Sequence, residues 1–435
     1  MCHRGQYDVV IAGLIAGLLF IPGCGDAQQD GTPSNEQAAA GNTESQPAER
    51  NSLPTASIGT PPATENVATQ PAGPEKGSPE WILKQIKDLR ISGTAAQGSQ
   101  SATDKTDGAL DQEQLENRRA ARRDRNLNII DLCTEAIKLT HDDADQEPVF
   151  NEAVQHLLQA RLQLAYQGQA EDVDKLYADV ESLRNRDPQS KAAAESLHAL
   201  VMFASTNARR YGAQDGRWLN ELGRQVRLFA TQCPSDPRAE ASLFSAGISC
   251  DAFGVDTEAT RCFSALLKLF PDGPRGLQAR AILRRLQLPG RSLELGGPTI
   301  DGGFVDAEQL RGQALLVVFW SSDNPQFRQQ LPLLQQTTRK YEKYLRTVGV
   351  CLDENEAALD AFLEQSELRW LQIFDPDNRR WDNNIVKYYG VRSIPAIWLV
   401  DSQGIVRDVS CDPSALDKQI RDLLVASQKP TNPAP

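Results

Sequence analysis

Cysteine and histidine are the side chains that would carry thiol exchange or zinc binding in this sequence, and their spacing works against both. The chain holds eight cysteines and four histidines in 435 residues. Thiol–disulfide exchange needs a thiolate whose pKa is lowered, commonly at a helix N-terminus, and a second sulfur that resolves the mixed disulfide. No two cysteines are spaced Cys-x-x-Cys, which removes both the usual redox pair and a zinc knuckle. His141, His156 and His198 fall in separate helical stretches with no Cys or carboxylate at ligand spacing, so no metal site is expected. Gly296-Gly297 and Gly302-Gly303 are not followed by Gly-Lys-Ser/Thr; they are turn glycines, not a phosphate loop. No catalytic residue and no cofactor is therefore assigned.

The elements that would position a reactive thiol are nevertheless legible. An apolar strand over residues 315–319 runs into Trp320-Ser321-Ser322-Asp323-Asn324-Pro325, where a helix is expected to begin. Asn is a preferred N-cap and Pro is favoured at the first helical position. The turn thus starts a helix well while holding Asn324 and Phe327 three residues apart.

Residues from about 293 to 424 resemble the thioredoxin-fold redoxins of the TlpA/ResA (AhpC/TSA-like) type. The resemblance runs through Leu295-Gly-Gly-Pro-Thr-Ile-Asp-Gly-Gly303, the strand 314–320, Val348-Gly-Val-Cys-Leu-Asp353 and the helix 356–365. Its most specific piece is Tyr389-Gly-Val-Arg-Ser-Ile-Pro-Ala-Ile-Trp-Leu-Val-Asp-Ser-Gln-Gly404, which implies a cis-proline at Pro395, a strand over 397–400 and a turn over 401–404. The resemblance places Asn324 and Phe327 at the positions of the redox cysteine pair, and Val318 where many members carry a buried carboxylate. A peroxiredoxin-type Thr-x-x-Cys is likewise absent from Ser321-Ser-Asp-Asn324. What the resemblance implies is the scaffold of a redox enzyme without its sulfurs. Its substrate groove would be formed by Trp320, Asp323, Asn324, Phe327, Ser393, Ile394 and Pro395, open to an extended segment that adds as a strand. The competing reading is a working thiol–disulfide oxidoreductase using a displaced cysteine, with Cys351 the nearest candidate; Cys411 is the other cysteine of this region.

Upstream, the composition changes twice. His3 and Arg4 precede an apolar run over residues 9–21, too short to span a bilayer and suited to a signal-peptide core. It ends Ile21-Pro-Gly-Cys24, similar to a bacterial lipobox, so residues 1–24 are expected to be a lipoprotein signal and Cys24 the lipidated anchor. Residues 25–77 contain no Phe, Trp or Tyr and read as a disordered tether, with a root-mean-square span of about 40 Å as a flexible coil. A short helix around Trp81 over 78–89, then a polar linker from 93, lead to residue 110.

Over 111–290 the periodicity is helical throughout. Ile129, Ile130, Cys133 and Ile137 share one face; Val149, Ala153, Val154, Leu157 and Leu158 share another. Breaks at Asp187-Pro188, Cys233-Pro-Ser-Asp-Pro237 and Phe270-Pro-Asp-Gly-Pro274 divide it into antiparallel helix pairs. One pair resembles a tetratricopeptide repeat: Leu243, Ala246, Gly247 and Cys250, then Ala259, Phe263 and Leu266, closed by Pro271. Stacked repeats commonly offer concave protein-binding faces. The run Arg119-Ala-Ala-Arg-Arg-Asp-Arg125 reads as a solvated helix face.

The fold class expected is multidomain: an all-α repeat-like domain over 111–290, then an α/β thioredoxin-fold domain over 291–428, with a tail over 429–435. A formal charge of −12, from 58 acidic against 46 basic residues, argues against a nucleic-acid partner. The partners expected are an extracytoplasmic protein or peptide and the membrane through a lipid anchor, placing the chain in a bacterial envelope, facing the periplasm.

Overall fold

The computed structural model describes residues 73–98 and 112–428. The signal segment, Cys24, the tether up to residue 72, the linker 99–111 and the tail from 429 lie outside the described residues.

Among the described residues, nine helices build the first part: α1 (Pro79–Gly98), α2 (Gln112–Thr140), α3 (Glu147–Ala165), α4 (Ala170–Arg186), α5 (Lys191–Tyr211), α6 (Arg217–Gln232), α7 (Arg238–Ala252), α8 (Asp256–Leu269) and α9 (Gly276–Leu286). The Ser78 hydroxyl caps α1 by accepting from the Trp81 N–H at 3.2 Å. That helix runs past the expected end at residue 89 to Gly98, where Ala95, Ala96 and Gln97 are good helix formers. Ile82 and Ile86 of α1 join Ile129, Cys133, Ala153 and Leu157 in one core cluster. The larger cluster spans α3 to α9. The charge run on α2 is not wholly solvated. Arg123 donates to both oxygens of the buried Asp172 on α4, at 2.6 and 3.3 Å, a long-range pairing that local sequence could not reveal.

The α7–α8 pair packs as its small residues predict. Leu243, Ala246, Cys250, Ala259, Phe263 and Leu266 are all buried. A Cβ at Gly247 would stand 2.8 Å from the Phe263 ring, so the glycine is what lets the ring fill the groove between the helices.

The second part opens with a hairpin, β1 (Gly296–Pro298) and β2 (Phe304–Asp306), and a 3-10 turn over Ala307–Leu310. Then follow β3 (Ala314–Trp320), α10 (Pro325–Lys340), β4 (Leu345–Cys351), α11 (Glu356–Ser366), β5 (Leu371–Ile373), α12 (Asn384–Tyr389), β6 (Ala396–Val400), β7 (Val406–Asp408) and α13 (Leu416–Gln428). The sheet order is β5-β4-β3-β6-β7, with β3 parallel to β4 and antiparallel to β6. This is the mixed α/β sheet that the resemblance implies. Central β3 is buried at every residue, which is why its sequence is a continuous apolar run instead of an alternation. Leu315, Val317 and Phe319 face one core layer; Leu316, Val318 and Trp320 face the other, beneath α10. Those two layers deliver the end of β3 to the turn at 321–324.

Candidate functional site

The turn between β3 and α10 is held by polar contacts. Ser321 and Ser322 are buried beneath it, and both reach a carboxylate on the neighbouring strand end, Asp353, itself 4% exposed. Asp353 accepts from the Ser322 N–H at 2.9 and 3.1 Å, from the Ser322 hydroxyl at 2.5 Å and from the Cys351 thiol at 2.9 Å. Ser321 Oγ lies 3.3 Å from Asp353 and also bonds Asp323; its single proton serves one carboxylate at a time. A buried carboxylate is tolerable only with such donors. The Ser321 hydrogen bond, then the Arg380 guanidinium, hold the Asp323 carboxyl below the usual range. Arg380 bridges Asp323 at 2.9 Å and Glu354 at 3.0 Å along the rim of an open depression of about 590 Å³ that Ser322, Asn355 and Arg379 also line.

Asn324 makes two bonds of different kinds. Its Oδ1 accepts from the Phe327 N–H at 2.8 Å, the N-cap that the sequence predicts. Its Nδ2 donates to the Ile394 carbonyl at 3.1 Å. The Ile394–Pro395 bond is cis, as the resemblance implies. Asn324 is thus a strut between the helix start and the cis-proline loop.

Of the residues expected to line a groove, the structure exposes Ser393 and Asp323 and leaves Asn324, Ile394 and Pro395 half-buried. Trp320 and Phe327 are corrected: both have 0% exposure. Trp320 shares strand parity with Leu316 and Val318, so its ring lies in the same layer. There it stacks on Phe327 with centroids 4.7 Å apart. These two rings support the turn from below and cannot touch a bound segment.

Trp320 Nε1 donates to Gln372 Oε1 on β5 at 3.1 Å, crossing over Gly349 of β4. A Cβ at Gly349 would stand 2.1 Å from that oxygen and 2.6 Å from the indole nitrogen. Gly349→Ala is therefore expected to break the bond and leave two buried polar groups unpaired, at a cost of about 1–3 kcal/mol. A urea titration read through tryptophan fluorescence would show the midpoint falling; an unmoved midpoint would refute the role given to this glycine.

The structure does not give Cys351 the exposure that the displaced-cysteine reading requires. Cys351 is 2% exposed. Burial and the adjacent Asp353 carboxylate, to which the thiol donates, push its pKa far up. A nucleophilic thiol needs access and surroundings that favour the thiolate; burial and the Asp353 carboxylate both act against that at Cys351. Burial and then Asp408 push the Cys411 thiol up as well. Burial raises Cys133, Cys250 and Cys262 to about 12, and half-buried Cys233 is raised by the same cause. All six described cysteines are unpaired. Among the described residues no cluster of His, Cys, Asp or Glu could hold a metal ion, and no helix is long and apolar enough to cross a membrane.

Asp353, Gln372 and Arg380 are site residues that sequence reasoning missed. For Asp353 a signal existed: it follows the C-terminal end of a parallel strand, the edge at which α/β sheets place functional groups.

The AhpC/TSA family matches residues 288–409. The thiol-disulfide oxidoreductase ResA of Bacillus thuringiensis is 24% identical over 108 residues, 25% of this chain and 60% of that protein. The thioredoxin-like protein YneN of Bacillus subtilis is 23% identical over 126 residues, 28% of this chain and 68% of that protein. Among solved structures, the thioredoxin domain of a Bacteroides vulgatus thiol-disulfide oxidoreductase aligns at 21% identity with a TM-score of 0.29, covering 31% of this chain and 96% of that one. The match to ResA spans 60% of that relative's length.

Proposed function

Given that residues 288–409 form a thioredoxin-like redoxin domain related to thiol-disulfide oxidoreductases, we propose that this domain is redox-silent and that the chain binds an extracytoplasmic protein segment from a lipid anchor at Cys24. The observation that carries the reading is Asn324. Where the resemblance puts the attacking sulfur, an amide both caps α10 and bonds the loop opposite. Phe327, at the resolving position, is a packed ring with no exposed surface. Neither group can exchange a disulfide, and the raised thiol pKa values of the described cysteines offer no substitute. The exposed bend at Ser393, beside Ile394 and Asn324, is the surface we assign to an extended segment docked by main-chain bonding. The helical repeats would supply a second contact surface.

The test is insulin-disulfide reduction by the full-length chain. Wild type is expected to give no rate above the dithiothreitol background, and Asn324→Cys with Phe327→Cys is expected to give one. Asn324→Cys alone keeps the aromatic packing and should form a mixed disulfide without turning over. Wild-type turnover would end the proposal. For the binding half, a photo-crosslinker at Ser393 should capture an envelope protein. The same group at Tyr344, exposed at the opposite end of the parallel strands, should not. Equal capture at both sites would remove the groove from the reading.

A further inference from the structure

The loop that carries Ile394 and Pro395 is gripped from two sides. On one side is the helical-repeat unit. Asp251, at the end of α7, is bonded through both carboxylate oxygens by Arg285 of α9 at 2.8 Å, and Arg392 of the loop lies 3.9 Å from the same carboxylate. These charges are nearly or largely buried, with side-chain exposures of 8% for Asp251, 13% for Arg285 and 28% for Arg392. Arg284 donates to the Tyr388 carbonyl and lays its guanidinium 3.8 Å from that ring's centroid. Gly390 brings its backbone directly against that of α9. On the other side is the turn: two residues after Arg392, the Ile394 carbonyl accepts from Asn324, whose Oδ1 holds the first turn of α10.

The contacts therefore form one unbroken series, from Asp251 to Arg392, through Ile394 to Asn324 and the N-terminus of α10. We infer that the cis-proline loop is a joint through which the helical-repeat unit sets the geometry of the turn, with Asp251 and Arg392 as positioning residues. A segment bound by the helices and one bound beside Ser393 would then alter each other's affinity, because coupling between two sites acts equally in both directions. The inference is independent of whether the turn is redox-silent.

Hydrogen exchange on the full-length chain tests it. Asp251→Asn removes the charge facing both arginines. It is expected to speed exchange about tenfold, within the usual range of couplings, in residues 390–396 and also in residues 321–327, which Asp251 does not touch. Asp251→Glu should restore slow exchange in both. Arg275→Gln, whose partner is Glu240, should change neither segment. Asn324→Ser keeps an N-cap but cannot reach Ile394 with an N–H, and should loosen 390–396 and α9 in return. Unchanged exchange in α3 would show that the variants remain folded. If Asp251→Asn fails that check, Arg392→Gln takes its place. Acceleration confined to 390–396, or none in either segment, would overturn the inference.

Discussion

Phe327→Ala is expected to destabilise the redoxin domain by about 3–5 kcal/mol, the range for deleting a fully buried aromatic ring. The ring stacks on Trp320 at 4.7 Å and tilts against Phe362 at 6.3 Å, and such aromatic pairs add about 0.5–1.5 kcal/mol beyond buried area. Asn324→Ala, three residues earlier, removes a cap and should cost only about 1 kcal/mol. Against a typical stability of about 5–15 kcal/mol, the two losses are easily separated in a denaturant titration. A Phe327→Ala midpoint higher than that of Asn324→Ala would show that the aromatic cluster is not what holds the turn. The same packing complicates restoring a cysteine pair, because Phe327→Cys also deletes the ring. The folded fraction must therefore be measured beside any activity the double variant shows.

Gly390→Ala is expected to cost about 2–5 kcal/mol through two separate effects. Gly390 has φ +61° after the last residue of α12, a left-handed conformation that costs a residue with a Cβ about 1–2 kcal/mol. Its Cβ would also stand 2.6 Å from Ile282 N, 2.8 Å from Ala281 C and 2.9 Å from Ile282 Cα. These are backbone atoms with no rotamer to escape into, so α9 must withdraw, at an overpacking cost of about 1–3 kcal/mol. Gly290 supplies the control: φ is +84° with nothing within 4 Å of a built Cβ, so Gly290→Ala should show the conformational effect alone. Calorimetry should resolve the Gly390→Ala chain into two transitions, with limited proteolysis cutting between the domains near residues 287–291. A single transition at the wild-type temperature would mean that the domains are not joined through this contact.

Much of this architecture could be read from local pattern because local physics dictates it. The uninterrupted apolar run of β3 announces a strand buried on both faces, Asn324-Pro325 announces a helix start, and the small residues around Gly247 announce the groove that Phe263 fills. The site was legible in its frame and less so in its surface. Strand parity could have told that Trp320 points with Leu316 and Val318, but not that α10 and Phe362 close over that layer. The grip of Asp353 on Ser322, the pairing of Arg123 with Asp172, and the seat of Gly390 on α9 join residues dozens to a hundred positions apart. No window along the chain contains both members of those contacts.

Five of the six described cysteines are sealed inside helices or sheet layers, and Cys233 alone is partly open. Since a thiol reacts as thiolate and only when reached, each sealed sulfur stays dark to alkylating reagents until its own element breathes. The molecule thus carries a set of internal clocks, three among the helices at Cys133, Cys250 and Cys262 and two in the sheet domain at Cys351 and Cys411. The order in which they become labelled would rank the opening of its parts without any added probe.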